Sequence, residues 1–170
     1  MSAKDKKIEV KANLKGVSNL IRSFAEMSGL YIKVGILSDK NTRTTGKESN
    51  ASIGLVHEFG SILRHIPERS FIKMPLEKNS KELVAQAKQY IESDKESLAT
   101  GDSEAVKALF TKIGNDAEGY SRESFNTRGF GQWPSLAPAT IAAKGFDAIL
   151  IKSGELSRSI TSKVVARGSK

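Results

Sequence analysis

Apolar side chains recur along this chain with two periods, and their succession predicts a β-α-β start, five further helical stretches and a closing strand. Over residues 7–14, Ile8, Val10, Ala12 and Leu14 alternate with Lys7, Glu9, Lys11 and Asn13, the period of two that sets one face of a strand on a core. Gly16 and Ser18 then open a segment in which Val17, Leu20, Ile21, Phe24 and Met27 recur at three and four residues, one apolar stripe of a helix, stopped by Ser28 and Gly29. Residues 30–37 are rich in Ile, Val and Tyr and read as a second strand.

Residues 38–50 carry no large apolar side chain, which predicts a mobile loop, first to be cut by protease at Arg43 or Lys47 and ordered only against a partner. Ile53, Leu55, Val56 and Phe59 suit a short helix ended by Gly60. A turn at Ile66 and Pro67 leads to a helix over 74–92, with Pro75 in its first turn. Asp102 or Ser103 caps the most regular stripe of the chain, which runs from Val106 through Leu109, Phe110, Ile113 and Ala117 to Tyr120. Gly129, Gly131 and Pro134 make residues 128–138 a loop that holds the only Trp. Short helices are predicted at 139–144 and, capped by Ser153, at 153–158, before a strand at 159–165. The architecture is therefore expected to be α+β in a single domain over 1–170 with flexible ends. A small, mainly antiparallel sheet of residues 7–14, 30–37 and 159–165 is packed by helices around 17–28, 74–92 and 103–126.

Composition narrows the chemistry. The absence of cysteine excludes thiolate nucleophiles, disulfides and cysteine-rich zinc sites. The net charge of +8 is uneven: residues 1–50 carry ten Lys/Arg against five Asp/Glu, residues 128–170 seven against two, and residues 51–127 ten against twelve. Basic flanks suit nucleic acid or an acidic protein surface. Lys7, Lys11 and Lys15 on one strand face equally suit a solvated edge that resists pairing, and no aromatic interleaves with them to stack bases. No run of about 18 apolar residues marks a membrane span or a leader, so no membrane partner is expected and the protein is expected to be made soluble and to stay in the cytosol.

Sites of known chemistry fail on spacing. His57-Glu58 begins a zinc HExxH pattern, but position 61 is Ser, and His65 lies across Gly60. The lone Gly129-Phe130-Gly131 lacks the further residues of a phosphate loop. No nucleophile–base spacing stands out. No catalytic, cofactor or metal residue is assigned.

Three ordered stretches carry a likeness. The first is Tyr31-Ile32-Lys33-Val34-Gly35-Ile36-Leu37 followed by Ala51-Ser52-Ile53-Gly54-Leu55-Val56-His57-Glu58-Phe59-Gly60. The second is Ile66-Pro67-Glu68-Arg69-Ser70-Phe71-Ile72. The third starts at Trp133-Pro134-Ser135-Leu136-Ala137-Pro138-Ala139-Thr140 and continues through Lys144 and Ile149-Leu150-Ile151 to Ser153-Gly154-Glu155-Leu156-Ser157-Arg158-Ser159-Ile160. Together they resemble the phage virion-morphogenesis and tail-completion proteins, which include small neck and head-tail-joining components of Mu-like and other long-tailed phages. Ser153 departs from the Thr common in relatives, and the first thirty residues lie outside the likeness.

The resemblance implies a non-enzymatic virion protein at the neck or tail end, without cofactor, in a six-fold ring of identical subunits. It would contact connector, tail-terminator or tail-tube proteins and have at most incidental proximity to packaged DNA. The alternative is a basic nucleic-acid-binding protein, and a third reading is a hydrolase using His57 and Glu58. Within one subunit His57, Glu58, Phe59, Gly60, Pro67, Arg69 and Phe71 form a structural elbow, with Glu58 or Glu68 paired to Arg69. Arg43, Lys47, Phe130, Trp133 and Pro134 are the candidate assembly contacts, Phe130 and Trp133 serving either the core or a neighbour. Leu156 is expected in the core.

Overall fold

The computed structural model describes residues 3–44 and 47–168, with the side chains of 3–14 outside the description. The chain is α+β. A long helix α1 (Ala3–Gly29) leads directly into strand β1 (Leu30–Ile36), and a short 3-10 turn (Ser38–Lys40) precedes helix α2 (Asn50–Phe59). Helices α3 (Lys73–Lys78), α4 (Ser80–Ser93), α5 (Lys95–Leu98) and α6 (Ser103–Asn126) follow. Two short helices, α7 (Pro138–Lys144) and α8 (Glu155–Arg158), precede strand β2 (Ile160–Ala166).

The expected strand at 7–14 is corrected: those residues continue α1. Their alternation is four apolar residues long, whereas Lys, Glu, Ala and Leu dominate the segment and are strong helix formers. A helix also satisfies its own backbone groups without a partner strand. Gly16 costs the helix about 1 kcal/mol and does not stop it.

Among the described residues β1 and β2 alone form the sheet, antiparallel, with Leu30 opposite Ala166 and Ile36 opposite Ile160. Two strands alone are marginal in water, and α6 supplies the missing support. Gly114 lets the helix lie close, since a Cβ there would stand 2.9 Å from Ser162 Oγ and 3.3 Å from Ile32 Cγ2. On the open edge of β2, the Ser162 N–H donates to Glu118 at 2.8 Å and Arg122 donates to the Ile160 carbonyl at 2.7 Å. The edge is thereby occupied by α6 rather than left to pair with another chain.

Two apolar clusters flank this sheet. One gathers Phe71, Phe125, Trp133, Ile149, Leu156 and Ile160. The other joins Leu98, Val106 and Leu109, with Met27, Leu30 and Tyr90 against them. The Asp102 side chain caps α6 by accepting from the Glu104 N–H at 2.9 Å. At α8 the expected cap is corrected: Ser153 lies outside the helix, and Gly154 in a left-handed conformation (φ 74°) precedes Glu155.

Candidate functional site: a cationic cleft above a closed elbow

The elbow expected at His57 to Phe71 exists, but its polar groups pair differently. Glu58, at the end of α2, is buried and bonds neither Arg69 nor any other cation. Its carboxylate accepts from Ser70 Oγ and the Phe71 N–H, both at 2.7 Å, and from the N–H groups of Ile72 at 3.0 Å and Lys73 at 2.9 Å. Ser70 Oγ in turn accepts from the Met74 N–H at 2.9 Å. One side chain thus satisfies the donors that the start of α3 leaves open. Gly60 (φ 71°) makes the approach possible, because a Cβ there would lie 2.8 Å from the Glu68 nitrogen.

Arg69 reaches the other way. Its guanidinium donates to the Pro134 carbonyl at 3.0 and 3.1 Å and to the Ser135 carbonyl at 3.2 Å, fastening the Trp loop to the elbow. The expected Glu68 pair is also absent, and Glu68 is exposed. The Arg69 N–H donates to the His57 carbonyl at 2.8 Å, while His57 Nδ1 is buried without a partner. Burial, and secondarily the Arg69 charge, holds His57 below the ordinary histidine value. Phe71 is fully buried, whereas Phe59 points outward and Pro67 is exposed, so only part of the expected elbow faces inward.

Trp133 is a core residue, correcting its even assignment between core and neighbour. Its Nε1 donates to the Ser70 carbonyl at 3.0 Å, and its ring meets Phe125 edge-on at 5.7 Å. Phe130 is half-buried under Lys78 Nζ, 5.7 Å from the ring centroid, and Pro134 and Lys47 are exposed. Arg43 is engaged within its own chain, 3.1 Å from Glu155 Oε2 and 2.7 Å from Asn50 Oδ1. Asn50 further donates to the carbonyls of Lys40 and Thr42, and the Thr44 N–H donates to Glu155 at 2.9 Å. The segment expected to lack any anchor therefore has polar anchors on both sides of positions 45–46, which lie outside the described residues. An apolar census could not reveal them; Asn50 and Glu155 were the signal.

Above the elbow lies a cleft of about 640 Å³, where the three stretches singled out from the sequence converge. Arg43, His57, Arg69, Lys144, Lys152 and Glu155 are among the residues that line it. Lys144 donates to the Ala148 carbonyl, and burial lowers its pKa against the opposing effect of Asp147. Leu150 (φ 58°) and His65 (φ 51°), two of the lining residues, hold left-handed backbone conformations that L side chains rarely adopt.

No family model, curated protein or solved structure matches the chain. Among the described residues no group of three His, Asp or Glu side chains is placed to hold a metal, and no helix is long and apolar enough to cross a membrane. The Glu58 carboxylate is engaged by four donors, none of them on His57, whose Nδ1 has no partner.

Large apolar side chains are also left in the open, most of them gathered at two places, with Val84 and Ile91 on α4 and Phe146 exposed besides. On α1 the stripe of Val17, Leu20, Ile21 and Phe24 is exposed, with Ile21 at 63 % and Phe24 at 68 %. This departs from the expected inward stripe: α1 anchors through Ser23, which donates to the Leu98 carbonyl, and through Met27. The second place joins Leu55 and Phe59 on α2 to the turn closed by the Ser61–Ile66 bridge, where Ile62 and Leu63 are 93 % and 95 % exposed.

Proposed function

We propose that the chain is a non-enzymatic structural protein of a tailed-phage virion, a ring component at the neck or tail end that joins head to tail. The observation that supports it most is the pair of open apolar surfaces, on α1 and at the α2 turn. Exposed apolar groups gathered on two different elements suit a chain that completes its burial against neighbours. Two unlike surfaces on one subunit suit head-to-tail contacts, which close into a ring when the rotation permits. The likeness of the ordered stretches within residues 31–160 to tail-completion proteins is what suggests the neck or tail end as its place.

Negative-stain images of the purified protein, together with labelling of its place in intact particles, test this reading. Closed rings and a label at the head-tail junction support it. A monomer whose binding to DNA falls steeply with salt, and which never assembles, would instead favour the nucleic-acid-binding alternative suggested by the basic α1.

A further inference from the structure

The cleft above the elbow is lined by more cations than carboxylates: Arg43, Arg69, Lys144 and Lys152 against Glu155. Arg69 is buried and bonded only to carbonyl oxygens, and neither Lys144 nor Lys152 has a carboxylate within ion-pair distance among the described residues. The one lining carboxylate, Glu155, is already engaged by Arg43. A buried guanidinium without an anion is costly, and an incoming carboxylate would relieve that cost. The rest of the lining is largely aliphatic, including Ile53, Leu136, Leu150 and Ile151, and contains no Phe, Tyr or Trp ring on which a base could stack. The volume of about 640 Å³ falls inside the range of pockets that enclose ligands.

We propose that this cleft receives an extended segment of a different protein, one that presents a carboxylate among aliphatic side chains. A bare phosphate or a nucleic-acid backbone would satisfy the cations but leave the aliphatic walls unfilled. The chain's own net charge of +8 disfavours a second copy of it in a cationic cleft. Strained backbone at His65 and Leu150 is held on the rim of the cleft, where stored strain often accompanies ligand contact. The inference deepens the assembly reading by naming the chemistry of a neighbour.

The test is a selection of random displayed peptides on the full chain, followed by affinity measurement on wild type, Lys152→Glu and Thr140→Trp. Both altered residues are exposed cleft residues, so circular dichroism is expected to stay unchanged. Enriched peptides should combine Asp, Glu or a free carboxyl terminus with aliphatic residues, and each variant should weaken them about tenfold or more. No enrichment, enrichment of basic peptides, equal binding to both variants, or displacement by an oligothymidylate at equal affinity would overturn the proposal. Because no virion is involved, failure here leaves ring formation to be judged separately. Rings that fail to form while such peptides still bind would sink the assembly reading alone.

Discussion

The elbow and helix α1 treat their difficult groups in opposite ways. At the elbow a buried carboxylate finds four donors, and a buried guanidinium finds three carbonyl contacts, so nearly every polar group is closed on the chain itself. On α1 the apolar stripe is left in solvent while Ser23 and Met27 hold the helix down. Alteration of the first region should therefore unfold the subunit, and alteration of the second should leave it folded and change what it meets. Chemistry alone does not decide which residues serve stability: a glutamate holds the core together here, and a phenylalanine does not.

The largest break in this contrast is Glu58→Ala. It strands Ser70 Oγ and three backbone N–H groups, at about 1–3 kcal/mol each before relaxation, which is comparable to the whole stability of a domain. The protein should be insoluble or lack a cooperative melt by circular dichroism. Glu58→Gln keeps an acceptor and should melt cooperatively at a lower temperature. Trp133→Ala comes next, at about 3–5 kcal/mol, as usual for an aromatic removed from a core. Its loss should appear as a lowered denaturant midpoint before any loss of assembly is seen.

Much of this was readable in the sequence where local pattern and burial agree. The stripe from Val106 to Ala117, the strands following Gly29 and preceding Arg167, and Leu156 in the core follow from period and caps. What escaped depends on three-dimensional pairing. Residues 7–14 satisfy a strand's alternation but contain helix formers that continue into α1. The partners of Glu58 and Arg69 lie across a turn and across the chain, where spacing is silent. Trp133 sits in a Gly/Pro loop whose contact with Phe125 and Ser70 no local rule predicts. The cleft had no signature either, since its walls come from separate stretches.

Smaller effects sharpen the boundary between the two regions. Glu155→Ala removes the anchor of Arg43, whose side chain and that of Glu155 are largely covered, and should cost about 1 kcal/mol. Trypsin should then cut after Arg43 sooner than in wild type, while cleavage after exposed Lys47 changes little. For His57 the sign follows from burial: its folded-state pKa lies below the ordinary 6.5, so the unfolded chain binds the proton more readily. This contribution to stability is present above that value and is lost as pH falls below it toward the folded value. His57→Gln should flatten the stability profile between pH about 7 and 5 without changing its neutral end greatly. An unchanged slope in urea melts would contradict the assignment.

The central claim is that α1 offers its apolar stripe to a neighbour while the hydrogen bonds of buried Glu58 hold the subunit itself together. Sedimentation velocity of wild type beside the double variant Ile21→Glu with Phe24→Glu, with circular dichroism melts of both, tests it most directly. Wild type should sediment as an oligomer, and the variant as a monomer whose melting midpoint is preserved, because neither side chain is buried in the subunit. A wild type that stays monomeric at every concentration, or a variant that unfolds as Glu58→Ala is expected to, would contradict the account.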